Sequence, residues 1–214
     1  LNLHAVKRYL LLAKMSKLYL LTGKEIKPEE EEILRQIPIP EDSPPYFTPQ
    51  RPYFILIPCA RWETKIWPFD YWEKFLKLTE DLREEFEFYF VGGKEEKDLI
   101  HFASAMSHKY KGVFNLVGKT NLRELTYIIR RSKLVLSVDT GSMHLASLLN
   151  KPIISLFGPT SEDRTGPWSE KFLVIKEQLS CQPCFKRECK SKSCMLNIKP
   201  ERVYQALKEF LTLI

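Results

Sequence analysis

Long apolar runs are missing from this 214-residue chain. Nothing in it approaches the ~18 consecutive apolar residues of a membrane-spanning helix. Leu10-Leu11-Leu12 and the stretch Tyr19 to Leu21 are too short, and too interrupted by lysine, for the apolar region of a signal peptide. The expectation is a soluble, cytoplasmic protein that touches a membrane at most peripherally. Glycine is scarce, with 8 residues, and none is arranged as G-x-G-x-x-G. The usual dinucleotide fingerprint is therefore absent, which argues against a dehydrogenase or epimerase. Histidine numbers only 4. No zinc-finger histidine pair and no aromatic–basic motif of an RNA-binding fold is present, so nucleic acid is not an expected partner. No internal repeat or low-complexity tract is visible.

What remains is ordinary globular material with a regular rhythm: 44% hydrophobic residues and a net charge of +6. A lysine-rich surface accounts for that charge as well as attraction to anionic partners does. Leu3, Val6, Leu10 and Leu11 share one face of a helix expected over residues 1–18, and 18–21 reads as a short strand. Pro28 and the glutamates after it begin a short acidic helix. Ile37 to Pro52 holds six prolines and reads as an extended linker. From Tyr53 on, strands alternate with helices. The strands are expected at Tyr53–Ile57, Phe86–Val91, Val113–Val117, Lys133–Val138, Ile153–Phe157 and Phe172–Ile175. Helices are expected over Asp70–Glu84, Glu95 to about Ser107, Leu122–Arg131 behind an Asn121 cap, the stretch after Gly141, and Pro200–Leu211. That alternation predicts an α/β fold with a doubly wound, Rossmann-like parallel sheet.

Polar residues gather where the predicted strands end, the edge at which such sheets bind ligands. After the first strand, Lys65 can reach diphosphate oxygens as a mobile point charge, or it is simply a surface lysine. Trp62 and Trp67 beside it suit packing better than base stacking. After the second strand, Gly92-Gly93-Lys94-Glu95-Glu96 places Glu96 either to accept ribose hydroxyls or to complement a helix dipole. Asp139-Thr140-Gly141, with His144 one turn into the next helix, forms the densest group. Gly141 permits close approach of a phosphate, Thr140 supplies a hydroxyl and an N–H, and the helix N-terminus favours an anion. Cys181, Cys184, Cys189 and Cys194 form a C-x2-C-x4-C-x4-C cluster among five cysteines. A structural zinc tetrathiolate, disulfides and free thiols all remain open for it.

Taken in order, PCARWETKIWP, VGGKEEKD, LVGKTNLREL, SVDTGSMHLASLLNKPIISLFGPTSEDRTGPW and LSCQPCFKRECKSKSCM resemble glycosyltransferase family 9, the bacterial lipopolysaccharide heptosyltransferases. The match runs from Tyr53 to the C-terminus, and HAVKRYL resembles the end of the family's N-terminal domain. The resemblance implies the C-terminal half of a GT-B enzyme. Residues 1–52 would be a remnant of the N-terminal domain plus linker, and residues 53–214 the donor-binding domain. It implies inverting transfer from a nucleotide-diphosphate sugar, ADP-heptose, to a lipid A–core acceptor, at or near the inner membrane, with no metal required for the chemistry. By the same resemblance Lys65 contacts the donor diphosphate and Glu96 its ribose. Lys119 and Thr120 line the nucleobase pocket. Asp139, Thr140, Gly141 and His144 form the diphosphate-side turn, and Lys65 and His144 serve the leaving group. The family's aspartate base and acceptor domain lie N-terminal to these motifs, so the base is not expected within these residues. Ala60 and Arg61 also depart from the small hydroxyl pair some members carry. The alternative is a non-catalytic nucleotide- or metal-binding module that works with a separate partner chain.

Overall fold

The structure, a computed structural model, describes residues 42–214. The helices expected over 1–18 and from Pro28, the strand near 18–21 and the start of the proline-rich linker lie outside the described residues. The linker's last part is not a free tether. Phe47 is buried, with its ring 5.2 Å from Tyr53 and 5.1 Å from Tyr89, both edge-on.

Six strands form one sheet: β1 (Tyr53–Ile57), β2 (Glu87–Phe90), β3 (Val113–Asn115), β4 (Leu134–Val138), β5 (Ile153–Phe157) and β6 (Phe172–Lys176). Every neighbouring pair is parallel, in the order β3-β2-β1-β4-β5-β6. The inner strands read as nearly continuous apolar runs because both faces are covered. In β1, Phe54 and Leu56 enter one core while Tyr53, Ile55 and Ile57 enter the other. Three helices cover the first face: α1 (Phe69–Leu78) through Trp72, Phe75 and Leu76, α3 (Lys97–Lys109) through Leu99, Ala103 and Met106, and α8 (Pro200–Leu211) through Val203, Leu207 and Phe210. The second face is covered by α4 (Leu122–Arg131) and α5 (Gly141–Leu148), which bury Ile128, Ile129, Met143 and Ala146. Short helices α2 (Leu82–Glu85), α6 (Glu162–Thr165) and α7 (Ser193–Leu196) complete the described α-helices.

The alternating elements predicted from Tyr53 onward are all present, with local differences. The single helix expected over Asp70–Glu84 is two, α1 and α2. Thr79 ends α1: it is fully buried and turns its hydroxyl back onto the Leu76 carbonyl at 3.0 Å, a local bond that competes with helix continuation. Strand β3 stops at Asn115, not Val117, because the Asn115 side chain accepts the Val117 N–H at 2.9 Å and turns the chain. Helices α6 and α7 have four residues each, too few to show a period in sequence.

The start of α4 carries the clearest local code. Asn121 accepts the Glu124 N–H at 2.9 Å, and Glu124 accepts the Asn121 N–H at 2.8 Å, a reciprocal capping box. Asn121→Ala is expected to lower stability by about 1 kcal/mol, read as a reduced urea midpoint with unchanged slope.

Connections from β1 lead through β2 to β3 on one side, and those from β4 lead through β5 to β6 on the other. Strand order therefore reverses between β1 and β4, and a crevice opens at their carboxyl ends.

Candidate functional site

Three strand ends meet at that crevice. Strand β1 leads into a loop with a 3-10 turn, Glu63–Lys65. Strand β4 runs into Asp139, which precedes the Thr140 cap of α5, and β5 runs into Gly158-Pro159-Thr160. Neighbouring parallel strands in register bring these ends together: Ile57 pairs with Ser137 and Val138 with Leu156.

Lys65 Nζ lies 2.8 Å from Asp139 Oδ2, with side-chain exposures of 16% and 3%. Thr160 Oγ1 donates to the same oxygen at 2.6 Å, and Thr165 Oγ1 lies 3.5 Å from it. A carboxylate this buried needs compensation, and it has a cation and a hydroxyl from two different strands' loops. Lys65 also sits over the Trp62 ring, 4.5 Å from its centre, while Arg187 stands 5.1 Å from the same ring. Thr64, buried, donates to the Lys186 carbonyl at 2.8 Å, and Lys192 pairs with Glu63. The loop carrying Lys65 is thus braced by the cysteine-bearing segment.

Helix α5 begins beside this pair. Thr140 is its N-cap in an extended conformation, and its side chain caps no backbone N–H. A Cβ built on Gly141 would meet nothing within 4 Å, so open space stands over the helix N-terminus. Free N–H groups, a positive dipole end and an ammonium together suit an anion. His144 is half-buried one turn on, and its backbone N–H lies 3.4 Å from the Thr140 carbonyl.

Of the other predicted residues, Glu96 lines a cleft of about 760 Å³ with Cys59, Ala60, Glu63 and Lys192, adjoining the Lys65 loop. Its carboxylate accepts the Gly93 N–H at 3.0 Å. Burial raises its pKa, and the Gly93 bond offsets only part of that. A Cβ on Gly92 would collide with this carboxylate and with Leu99, which explains glycine there. Burial, reinforced by Glu96 and Asp98, pushes the Cys59 thiol up to about 12, so it stays protonated and unreactive near neutrality. Lys119 opens on a different groove beside Tyr46, Tyr89 and Phe114, with Nζ 2.9 Å from the Asn115 carbonyl. Thr120, half-exposed, leads from it to the α4 cap.

Zinc, disulfides and free thiols are the readings open for the four cysteines, and the structure joins none of them in a disulfide. Among the described residues no three Cys, His, Asp or Glu side chains stand close enough to share a metal ion. Cys194 is buried in the core beneath Gly158, Cys181 is exposed, and all five thiols are free. Protein contacts brace this loop. The Cys184 and Phe185 N–H groups both bond the Pro159 carbonyl, and Gln182 Nε2 bonds the Gly158 carbonyl.

Sequence reasoning passed over Thr160, Thr165 and Thr64. The available signal for Thr160 was its position: a hydroxyl at the end of an apolar strand next to the one ending in Asp139.

Comparison with known proteins agrees with this architecture. Residues 2–195 match the profile of glycosyltransferase family 9 (heptosyltransferase). Lipooligosaccharide heptosyltransferase 2 of Campylobacter jejuni is 32% identical over 126 residues, covering 57% of this chain and 40% of that protein. Lipopolysaccharide heptosyltransferase 1 of Pseudomonas aeruginosa is 23% identical over 179 residues, covering 76% of this chain and 49% of that one. The fold matches Escherichia coli ADP-heptose heptosyltransferase II with a TM-score of 0.66 at 23% identity, covering 88% of this chain and 53% of that structure. The chain spans about half the length of the curated relatives it matches.

Proposed function

The chain belongs to glycosyltransferase family 9, and on that footing we propose that it carries the donor side of a heptosyl transfer. The donor is a nucleotide-diphosphate sugar, ADP-heptose, and the acceptor a lipid A–core oligosaccharide. One observation carries the assignment: the Lys65–Asp139 pair seated at the N-terminus of α5, with open space over Gly141. The names of the relatives support the substrate class. The Campylobacter protein is a lipooligosaccharide heptosyltransferase, and an Escherichia coli heptosyltransferase of the same fold was solved with ADP.

The chemistry follows from where charge develops. The acceptor oxygen attacks the anomeric carbon from the face opposite the diphosphate, the bond to the diphosphate oxygen breaks, and configuration inverts. Negative charge grows on the departing nucleoside diphosphate. Lys65 and the first N–H groups of α5 face that charge already oriented, which is where fixed donors lower a barrier most. Thr140 and His144 complete the diphosphate side, and Glu96 in the adjoining cleft takes the ribose. Lys119 and Thr120 are assigned to the nucleobase side by family resemblance. The base that deprotonates the acceptor belongs to the acceptor-side domain. Among the described residues no helix is long and apolar enough to cross a membrane. A protein of charge +6 would meet its lipid-borne acceptor from the cytoplasmic side, at the surface.

Calorimetry with ADP and ADP-heptose tests the donor site, with Gly141→Ala as the informative variant. No protein atom opposes the added methyl, and alanine favours a helix over glycine by about 1 kcal/mol. Stability is expected to hold or rise while ADP affinity falls about tenfold, the equivalent of one charge-assisted hydrogen bond. Unchanged ADP affinity in this variant would remove α5 from the donor site. Transfer by this chain alone is expected to be poor, and efficient product formation would overturn the assignment of the base to another domain.

A further inference from the structure

The Asp139 carboxylate is held from two directions. Lys65 comes from the loop after β1, and Thr160 from the turn after β5. Both meet the same oxygen, Oδ2, at 2.8 and 2.6 Å. These contacts constrain the site unequally. An ammonium on a four-carbon stem adapts its position to the carboxylate, and the terminal torsion of an aspartate is itself broad. Lys65 and Asp139 alone would therefore leave the direction of the ammonium loosely defined.

Thr160 is built to remove that freedom. It is 6% exposed, and as a β-branched residue it has restricted χ1. The turn behind it is clamped through its backbone. The Pro159 carbonyl takes two N–H groups, from Cys184 and Phe185, and the Gly158 carbonyl takes Gln182 Nε2. Met195 and Cys194 close against Gly158 from the core side, leaving no room there even for a methyl group. The hydroxyl therefore projects from one of the firmest points at this edge of the sheet. Thr165, at 3.5 Å, is too long a contact to share this role equally.

We infer that Thr160 is a positioning residue: it fixes the Asp139 carboxylate, and through it aims the Lys65 ammonium at the donor diphosphate. The inference rests on the diphosphate assignment above and adds to it a residue that touches no substrate. It also gives the cysteine-bearing loop a part in the site, as the backing of the turn on which Thr160 stands.

The test compares two ligands on the full chain. ADP carries the diphosphate that Lys65 would meet, and adenosine does not. ADP affinity is read by calorimetry and adenosine affinity by ligand-observed NMR, for wild type, Thr160→Val, Thr160→Ala and Thr160→Ser. Thr160→Val keeps the shape and deletes the hydroxyl. Thr160→Ala gives the same reading should the valine variant fail to fold. ADP affinity is expected to fall about tenfold in both, adenosine affinity to stay within twofold, and Thr160→Ser to recover most of the loss. ADP affinity equal to wild type in the hydroxyl-deleted variants overturns the positioning role and leaves the donor site standing. Equal losses for ADP and adenosine, unrescued by serine, overturn it in favour of general structural support. Failure of wild type to bind ADP at all overturns the diphosphate assignment, and this inference with it.

Discussion

Lys65→Met is expected to weaken ADP binding by roughly 10- to 100-fold, the worth of a hydrogen bond to a charged group. Methionine keeps most of the stem's length and packing over Trp62 while removing the ammonium, so the loss reports the charge. The same substitution leaves Asp139 buried with Thr160 as its near hydroxyl partner. Removing one partner of a sealed ion pair costs about 3–5 kcal/mol. Lys65 retains some exposure and the threonine bond survives, so about 2 kcal/mol is the expected loss of stability. The two effects separate in the double variant Lys65→Met/Asp139→Asn. Neutralising the stranded carboxylate is expected to restore much of the stability and none of the ADP affinity. Calorimetry gives the ADP affinity and urea denaturation the stability. ADP binding of Lys65→Met within twofold of wild type would place the diphosphate elsewhere.

The second large effect lies in the core beneath the Lys65 loop. Trp67 and Trp72 are both fully buried and meet edge-on, with ring centres 5.1 Å apart. Trp72→Ala is expected to cost about 3–5 kcal/mol, a large share of the roughly 5–15 kcal/mol by which domains are stable. The two tryptophans differ in one respect that phenylalanine substitutions expose. Trp67 Nε1 donates to the Ile198 carbonyl at 2.8 Å, whereas Trp72 Nε1 is buried without a hydrogen-bond partner. Trp67→Phe leaves that carbonyl unsatisfied and is expected to cost about 1–3 kcal/mol beyond the lost volume. Trp72→Phe removes an orphaned donor, which offsets the lost contacts, and is expected within about 1 kcal/mol of wild type. Chemical denaturation of the three variants checks the order. Equal costs for the two phenylalanine variants would mean that the Ile198 bond contributes nothing. Because Trp67 ends the loop that carries Lys65, Trp67→Phe is also expected to lower ADP affinity more than Trp72→Phe.

Much of the architecture was legible because it is written in local chemistry. Nearly unbroken apolar runs such as Leu134–Val138 and Ile153–Phe157, each with one serine, marked strands buried on both faces. Asn121 announced the start of α4 as a cap ahead of the helical run. Asp139, Thr140 and Gly141 stood out because polar and Cβ-free residues interrupt an apolar pattern where a strand must end. The motifs in order also carried the family. Where sequence reasoning failed, the deciding contact was absent from the local pattern. The break at Thr79 depends on a buried hydroxyl turning back on its own helix.

The sequence by itself determined the alternation of strands and helices, the ends at which polar residues collect, and the family to which they belong, since each rests on periodicity, on residue chemistry or on motifs in order. Tertiary structure alone decided that Lys65, Asp139 and Thr160 form one centre. They come from three separate loops, and only the reversal of strand order between β1 and β4, with β5 in register beside β4, makes those loops neighbours. Burial then supplies the energetic reason for their contact: a carboxylate withdrawn from water must find both a cation and a hydroxyl, and the folded sheet is what places both within reach.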